Sequence, residues 1–512
     1  MPHSSRALLV FSLALPAAWA QFSAPPPPPT PARQLPLSGR GNQVGSVATP
    51  LATIPGGGGN DTLTGSVQVS GGYQGSVPAA NVPAGAITIS LADAVKFGLS
   101  ANLGILTAGD STRVSHADRL HALSNLLPYI SVSASETSNQ INLAAFGFQF
   151  KTPPGLGFSI PTVVGPFGTS NLQGNFSQSV WDLVQRRNWQ ATKDTERASE
   201  LSARDARELV VQAVAGAYLE TVATAARVES QRAQVANARA VNQQAEIRRE
   251  AGTNARIEVT RTLVELQAQE QRLSAFESDL SKQKLALARL TGLPLDRELT
   301  LKDPLAFNPS AVPAPETAAQ QAFQKRWDLQ AAGSQVKAAE RVLAAARAEN
   351  MPSVSLTGDY GTLGSSPIAA HGVYTVAGTV SFPVFQGGRV KADIEQAEAT
   401  LHQRQSELAD LRGAVEAEVR TAIIELNTAM GQVRLADSSR SLANDTLRQA
   451  RDRFNAGVTT TVEVVQAQEQ VAGAEGDYIS SLFAFDLARL SLARAMGEAE
   501  TDLPNLLKGN AP

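Results

Sequence analysis

The chain has no cysteine. That excludes disulfides, thiolate metal sites, a cysteine nucleophile and a thioether-linked lipid at a mature N-terminus; an oxidising compartment is allowed but not required. Aromatic residues are scarce, at 5% of 512 positions. A large conventional core would hold more of them, whereas long Ala-rich helices packed on one another need fewer. Charge of one sign is missing too. Lys and Arg number 44 against 47 Asp and Glu, a formal net charge of −3, so nothing electrostatic points to nucleic acid. Of the five histidines, only His116 and His121 are close, and five-residue spacing on a helix is poor geometry for a shared metal. There is neither a phosphate-cradling Gly-Lys-Ser/Thr loop nor a Gly-x-Ser-x-Gly elbow. The sequence therefore predicts no enzyme, no cofactor and no metal. Past residue 20 no run of about 18 apolar residues occurs, so no membrane-crossing helix is expected.

What is present begins with an export signal. Arg6 precedes the apolar run "A-L-L-V-F-S-L-A-L-P", and "A-W-A" at 18–20 offers small residues for cleavage, so 1–20 reads as a secretory signal. Residues 21–85 hold "A-P-P-P-P-P-T-P" and "P-G-G-G-G-N-D", which favour polyproline II and flexible chain. This segment reads as a linker whose one strand-like stretch is "S-V-Q-V-S-G-G-Y". Order is expected from Ile87, with Ser90 capping a helix that starts at Leu91 and continues to about Asn125, ahead of Pro128.

The rest of the chain is duplicated. "E-A-G-T-N-A-R-I-E-V" at 250–259 returns as "N-A-G-V-T-T-T-V-E-V" at 455–464, and "L-A-L-A-R-L-T-G" at 285–292 as "L-S-L-A-R-A-M-G" at 490–497. "L-P-Y-I-S-V-S-A-S" from Leu127 is echoed by "M-P-S-V-S-L-T-G" from Met351. The repeats span 86–292 and 321–497, with an inter-repeat linker at 293–320 and a tail at 498–512.

Each repeat opens with period-two segments, the strand signature. In "Y-I-S-V-S-A-S", Ile130, Val132 and Ala134 face one side and serines the other; "A-F-G-F-Q-F" sets Phe146, Phe148 and Phe150 on one face. A Pro/Gly-rich loop from 151 to about 169 leads to "L-Q-G-N-F-S-Q-S-V"; the second repeat gives "V-S-L-T-G-D-Y" and "Y-T-V-A-G-T-V-S-F". Four strands of about ten residues have the length and alternation to cross a bilayer, but only inside a closed barrel. Open edges in lipid leave backbone groups unpaired, and membrane barrels start at about eight strands. If these strands meet lipid, several chains must close the barrel together. A soluble β subdomain is the other reading of the same pattern.

The helical pattern is longer than in most globular proteins. Between Asp182 and Glu250 there is no proline, and a second stretch from about Arg389 to Ala456 matches it. Each is followed by a glycine and about 40 more helical residues, so each repeat predicts an antiparallel hairpin turning at Gly252 or Gly457. The narrow Ala/Val/Leu stripe with polar flanks suits the wall of a hollow cylinder better than a solid bundle.

This order of motifs resembles the TolC-like outer membrane efflux proteins. Pro128 and Pro352 before the first strands, "V-S-F-P-V-F-Q-G-G-R" at 380–389, the two Ala-Gly tips and the terminal "A-R-L-T-G" and "A-R-A-M-G" carry the likeness across roughly 87–497. It implies a mainly α fold with a membrane β-barrel part: a homotrimer forming a twelve-stranded barrel continuous with a long periplasmic α-barrel. The 293–320 linker and C-terminal segment would belong to a belt around that α-barrel. It further implies location in the outer membrane and service as a passive exit duct for an inner membrane transporter and a periplasmic adaptor. The tips Ala251-Gly252-Thr253 and Ala456-Gly457-Val458 match the adaptor-docking turns, with alanine where the family has valine. Glu463 falls where an acidic residue can ring the aperture, Glu258 is its counterpart in the first repeat, and Gln466 stands where a second acid is expected. A soluble periplasmic adaptor or coiled-coil scaffold is the competing reading, and it would have a single hairpin. The cargo is not written in the sequence.

Overall fold

The computed structural model describes residues 47–48, 68–69, 73, 75–78, 85–147, 161–253, 255–309 and 311–501. The expected signal peptide, Phe148, Phe150, most of the Pro/Gly-rich segment and most of the tail lie outside these residues. In chain order the elements are β1 (Val47–Ala48), β2 (Gln68–Val69), β3 (Ile87–Ile89), α1 (Leu91–Ala101), α2 (Leu103–Ser124), β4 (Tyr129–Asn142), β5 (Val163–Trp181), α3 (Leu183–Glu250) and α4 (Arg256–Thr291). They continue with β6 (Leu299–Leu301), α5 (Pro315–Lys325), α6 (Trp327–Ala348), β7 (Ser353–Gly364), β8 (Ala370–Ser381), α7 (Arg389–Asn455) and α8 (Thr461–Met496). The described fold is mainly α, with one four-stranded sheet.

The duplication is visible element by element. Helices α1 and α5 have 11 residues each and α2 and α6 have 22, the second copies starting 224 positions after the first. The returning helices α4 and α8 have 36 residues each, 205 positions apart.

The chain divides into two units. The first, Arg119–Ala191 with Arg341–Glu398 among the described residues, holds the sheet β4-β5-β7-β8, an antiparallel meander. Its register sorts the side chains cleanly. Ile130 pairs with Phe176, Phe176 with Gly358, and Gly358 with Val376, while the next row on that face runs Val132, Gly174, Tyr360, Tyr374. The alternate rows carry Ser131, Asn175, Asp359 and Thr375. Period two thus yields one apolar and one polar face. The apolar face is bare: Ile130, Val132, Tyr360, Tyr374 and Val376 are 71–76% exposed. β4 and β8 each pair on one side only.

Three sequence expectations change here. "L-A-A-F" at 143–146 forms a 3-10 turn rather than a strand, because Asn142 Oδ1 accepts the Ala144 N–H at 3.0 Å and Gly147 takes the left-handed conformation. β5 starts at Val163, inside the presumed Pro/Gly loop. Pro166 is tolerated because it falls where the β4–β5 register shifts, between the pairs Ile141–Val164 and Asn139–Phe167. The strands accordingly have 14, 19, 12 and 12 residues rather than about ten.

The second unit, Leu35–Asp118 with Thr192–Glu340 and Ala399–Pro512, holds the helical core. One cluster gathers Val210, Val214, Tyr218 and Leu219 of α3 with Leu287 of α4, Phe483 and Leu490 of α8, and Ile87 and Ile89 of β3. β3 pairs in parallel with β6, and the Tyr218 hydroxyl donates to Asp303 Oδ2 at 2.9 Å. A second cluster joins Val415, Val419 and Leu426 of α7 to Phe485 and Leu492 of α8 and to Ala318 of α5. α3 also contains an 18-residue window of mean hydropathy 1.4, higher than the sequence reading allowed; 72% of it is buried inside this chain, which makes it a core segment. Within the expected linker, Tyr73 is likewise buried in the first cluster.

The helix expected to run unbroken from Leu91 breaks at Asn102. Asn102 is fully buried; its Nδ2 donates to the Tyr73 carbonyl at 2.9 Å and its Oδ1 accepts the Gly104 N–H at 2.8 Å. The same break recurs 224 positions later at Arg326, also buried, whose guanidinium donates to both carboxylate oxygens of Asp328, at 3.1 and 2.6 Å, and to Glu418. Both break residues have extended ψ, 132° and 125°. Neither break carries glycine or proline at the interrupting residue; each is held by tertiary partners.

Candidate functional site at the hairpin tips

Each hairpin turns by the same backbone device. At the end of α3 the Thr253 N–H donates to the Arg248 carbonyl at 2.9 Å and the Gly252 N–H to the Arg249 carbonyl at 2.9 Å. At the end of α7 the Val458 N–H donates to the Arg453 carbonyl and the Gly457 N–H to the Phe454 carbonyl, at 2.9 and 3.1 Å. These are Schellman closures with glycine in the left-handed position; φ is 74° at both Gly252 and Gly457. A Cβ at either would meet nothing within 4 Å, so glycine is needed for its φ and not for space. Ala251, Gly252, Thr253, Ala456, Gly457 and Val458 are all exposed, and Val458 is 71% exposed. The two tips thus present small side chains and one bare valine.

The returning helices start without a side-chain cap, and each places a glutamate in its first turn: Glu258 in α4 and Glu463 in α8. A carboxylate there meets the positive end of the helix dipole. Beyond that common feature the two differ. Glu463 stays within its own hairpin, accepting Arg453 Nη1 at 2.7 Å and the Thr459 hydroxyl. Glu258 pairs with Arg261 at 2.9 Å and accepts the Thr461 hydroxyl at 2.5 Å, so it joins hairpin 1 to hairpin 2. Gln466 is exposed and makes no hydrogen bond among the described residues.

Two further contacts join the hairpins, and neither was foreseen. Arg248 lies over the Phe454 ring, 4.1 Å from its centroid, and its Nη1 donates to the Phe454 carbonyl at 3.3 Å. Gln244 Nε2 donates to Asn455 Oδ1 at 3.1 Å. Beneath them Val241, Leu447, Phe454, Val464 and Val471 form a small apolar core. The sequence signal for this clasp was an arginine in the last turn of α3 and a phenylalanine one turn before the second tip, a pairing that requires the three-dimensional register. No group of His, Asp or Glu among the described residues is arranged to hold a metal.

The fold is the one seen in solved outer membrane channel structures. In fold, the outer membrane protein VceC of Vibrio cholerae matches with a TM-score of 0.68 over 80% of this chain and 96% of VceC, at 20% identity. The family described as outer membrane efflux protein matches residues 318–498. The pyoverdine export outer membrane protein OpmQ of Pseudomonas putida is 24% identical over 343 residues, which is 64% of this chain and 70% of OpmQ. The outer membrane protein TolC of Vibrio cholerae is 25% identical over 352 residues, covering 65% of this chain and 78% of TolC. The chain is thus similar to outer membrane efflux proteins, the resemblance that its motif order carried.

Proposed function

We propose that the protein is an outer membrane exit duct: a passive homotrimeric channel that takes substrates from an inner membrane transporter through a periplasmic adaptor. The observation that carries this reading is the sheet β4-β5-β7-β8. Its apolar face is exposed, with Val132, Tyr360 and Tyr374 among the barest side chains, and its outer strands end in unpaired backbone. In water such a face is unfavourable by about 25 cal/mol per Å², and in lipid such edges are unfavourable by several kcal/mol per group. One arrangement relieves both: β8 of each chain pairing with β4 of the next until the sheet closes, apolar side outward. Two chains supply the eight strands at which membrane barrels start and three supply twelve; the resemblance to TolC-like proteins favours three. The small-residue tips are the adaptor-docking surface, and Glu463 faces the periplasmic aperture, where rings of carboxylates favour cations. OpmQ and TolC, named as outer membrane proteins, support this location.

The test is mass and conductance on the same material. Detergent-purified mature protein should have the mass of three chains and form pores in planar bilayers. A stable water-soluble monomer that forms no pores would overturn the reading.

A further inference from the structure

A polar cavity of about 370 Å³ opens between α3, α4 and α8, away from the tips. Arg227 and Gln234 of α3, Arg272 and Phe276 of α4, and Glu469 and Ile479 of α8 line it, and Gly473 and Gly476 form the floor of a notch in α8. Glycine costs about 1 kcal/mol in a helix interior, yet α8 carries two, one turn apart, at this wall. A Cβ at Gly476 would meet nothing within 4 Å, so the notch is open space rather than a close helix crossing.

The groups around that space are prepared donors. Arg227 is buried and fixed, its Nη2 donating to the Ser480 hydroxyl at 2.8 Å, with its guanidinium 5.9 Å from the Phe276 ring centroid. Gln234 is only 7% exposed and has no hydrogen-bond partner among the described residues. Its side-chain amide lines the cavity. The duplicated scaffold does not explain the site. At the positions 205 residues away, Arg227 corresponds to Gln432, Gln234 to Ser439, Arg272 to Asp477, and the two glycines to Ala268 and Gln271. The cationic notch belongs to one side of the duplication only.

We propose that this cavity binds a small amphipathic monocarboxylate. Arg227 and Arg272 hold the carboxylate, a geometry that planar guanidinium groups favour. The Gln234 amide donates to it, and Phe276 and Ile479 cover the aliphatic tail above the glycine notch. Glu469 repels a second negative charge and so selects against dianions. A cavity of this size is at the lower end of the range for small-molecule sites, roughly 300–1,000 Å³. The bound anion ties α3 and α4 of hairpin 1 to α8 of hairpin 2, and it does so whatever passes through the protein.

Thermal unfolding of the full-length protein in detergent tests this, with sodium butyrate as the probe and sodium chloride at equal ionic strength, sodium phosphate and n-butylammonium chloride as comparisons. Butyrate should raise Tm saturably and beyond chloride. Arg272→Gln, at an exposed position, should move the half-maximal butyrate concentration upward at least tenfold. Gly476→Leu, which fills the notch, should abolish the effect; retained helical circular dichroism identifies a folded variant, and calorimetric titration of Arg272→Gln decides the matter if Gly476→Leu unfolds. Equal shifts with butyrate and chloride, a larger shift with phosphate or butylammonium, no shift at all, or an Arg272→Gln midpoint equal to wild type would each overturn the proposal.

Discussion

Hairpins 1 and 2 have matching backbones: outgoing helices of 68 and 67 residues, returning helices of 36 each. Their side chains have gone different ways. α3 buries Val210, Val211, Val214, Tyr218 and Leu219 completely within its own chain. α7 buries Val415, Val419 and Leu426, but leaves Ile424, Leu435 and Leu442 exposed at 65–70%. Those three positions are spaced by 11 and 7 residues, which keeps them on one helix face. The contrast lies between the outgoing helices. Of its large apolar side chains among the described residues α3 exposes Ile247 alone, near the tip, whereas α7 presents an apolar stripe awaiting cover. The returning α4 leaves Ile257, Val264 and Leu285 exposed. In the proposed assembly a neighbouring chain supplies the cover for α7. Duplication therefore preserved the lengths, the breaks and the tips, while each copy acquired its own chemistry at them.

The breaks offer the sharpest way to separate the copies. Arg326→Ala removes the cation from buried Asp328, whose side chain is only 9% exposed, and should destabilise by about 3–5 kcal/mol. Asn102→Ala strips neutral hydrogen bonds from Tyr73 and Gly104 and should cost about 1–3 kcal/mol. Urea unfolding followed by circular dichroism measures both, and equal losses would mean that the two breaks are held in the same way.

The next difference lies on the returning helices. Asp486 of α8 is buried with neither carboxylate oxygen hydrogen-bonded among the described residues, whereas its counterpart 205 positions earlier, Ser281, is exposed. Burial pushes the Asp486 carboxyl up to about 8, only partly opposed by Arg489. A carboxyl raised in the folded state contributes stability fully below its unfolded pKa of about 4, and that contribution is lost as pH rises through the folded value. Asp486→Asn should therefore exceed wild type by on the order of a few kcal/mol at pH ~9, with the gap closing toward pH ~4. A pH-independent difference would show that the acid never titrates there.

The tips should behave alike in stability. Gly252→Ala and Gly457→Ala each force alanine into φ 74° in open space, at about 1–2 kcal/mol. A large disparity in Tm would mean that one tip has a neighbour in the assembly that the other lacks. The first-turn glutamates should differ in conductance. Glu463→Gln should lower cation selectivity or raise single-channel conductance in planar bilayers, and Arg453→Gln, which frees Glu463 from its partner, should move selectivity the opposite way. Glu258→Gln should change it less, since that carboxylate is engaged with Arg261 and Thr461. Unchanged single-channel behaviour in Glu463→Gln removes it from the aperture.

Much of this architecture was legible along the chain because it rests on local signals. Uninterrupted helical patterns, Ala-Gly tips and Ser/apolar alternation place α3, α7, the two hairpin turns and the start of β4 within a residue or two of where they are. What escaped is non-local. Asn102 and Arg326 look like ordinary helix residues until their buried partners are known, and the Arg248–Phe454 clasp joins positions 206 apart. Pro166 argued against a strand, and only the register shift beside it makes room.

The bare margins of the sheet have a consequence for how the assembled form could arise. β4 and β8 are different strands, so a contact between them is head-to-tail, and a single such contact leaves each copy with one margin open. A pair of chains so joined would still own one vacant β4 and one vacant β8, as exposed as a solitary copy. Partial oligomers thus gain no shelter at their ends, and only the last joining step, which leaves no ends at all, makes the product hard to reverse.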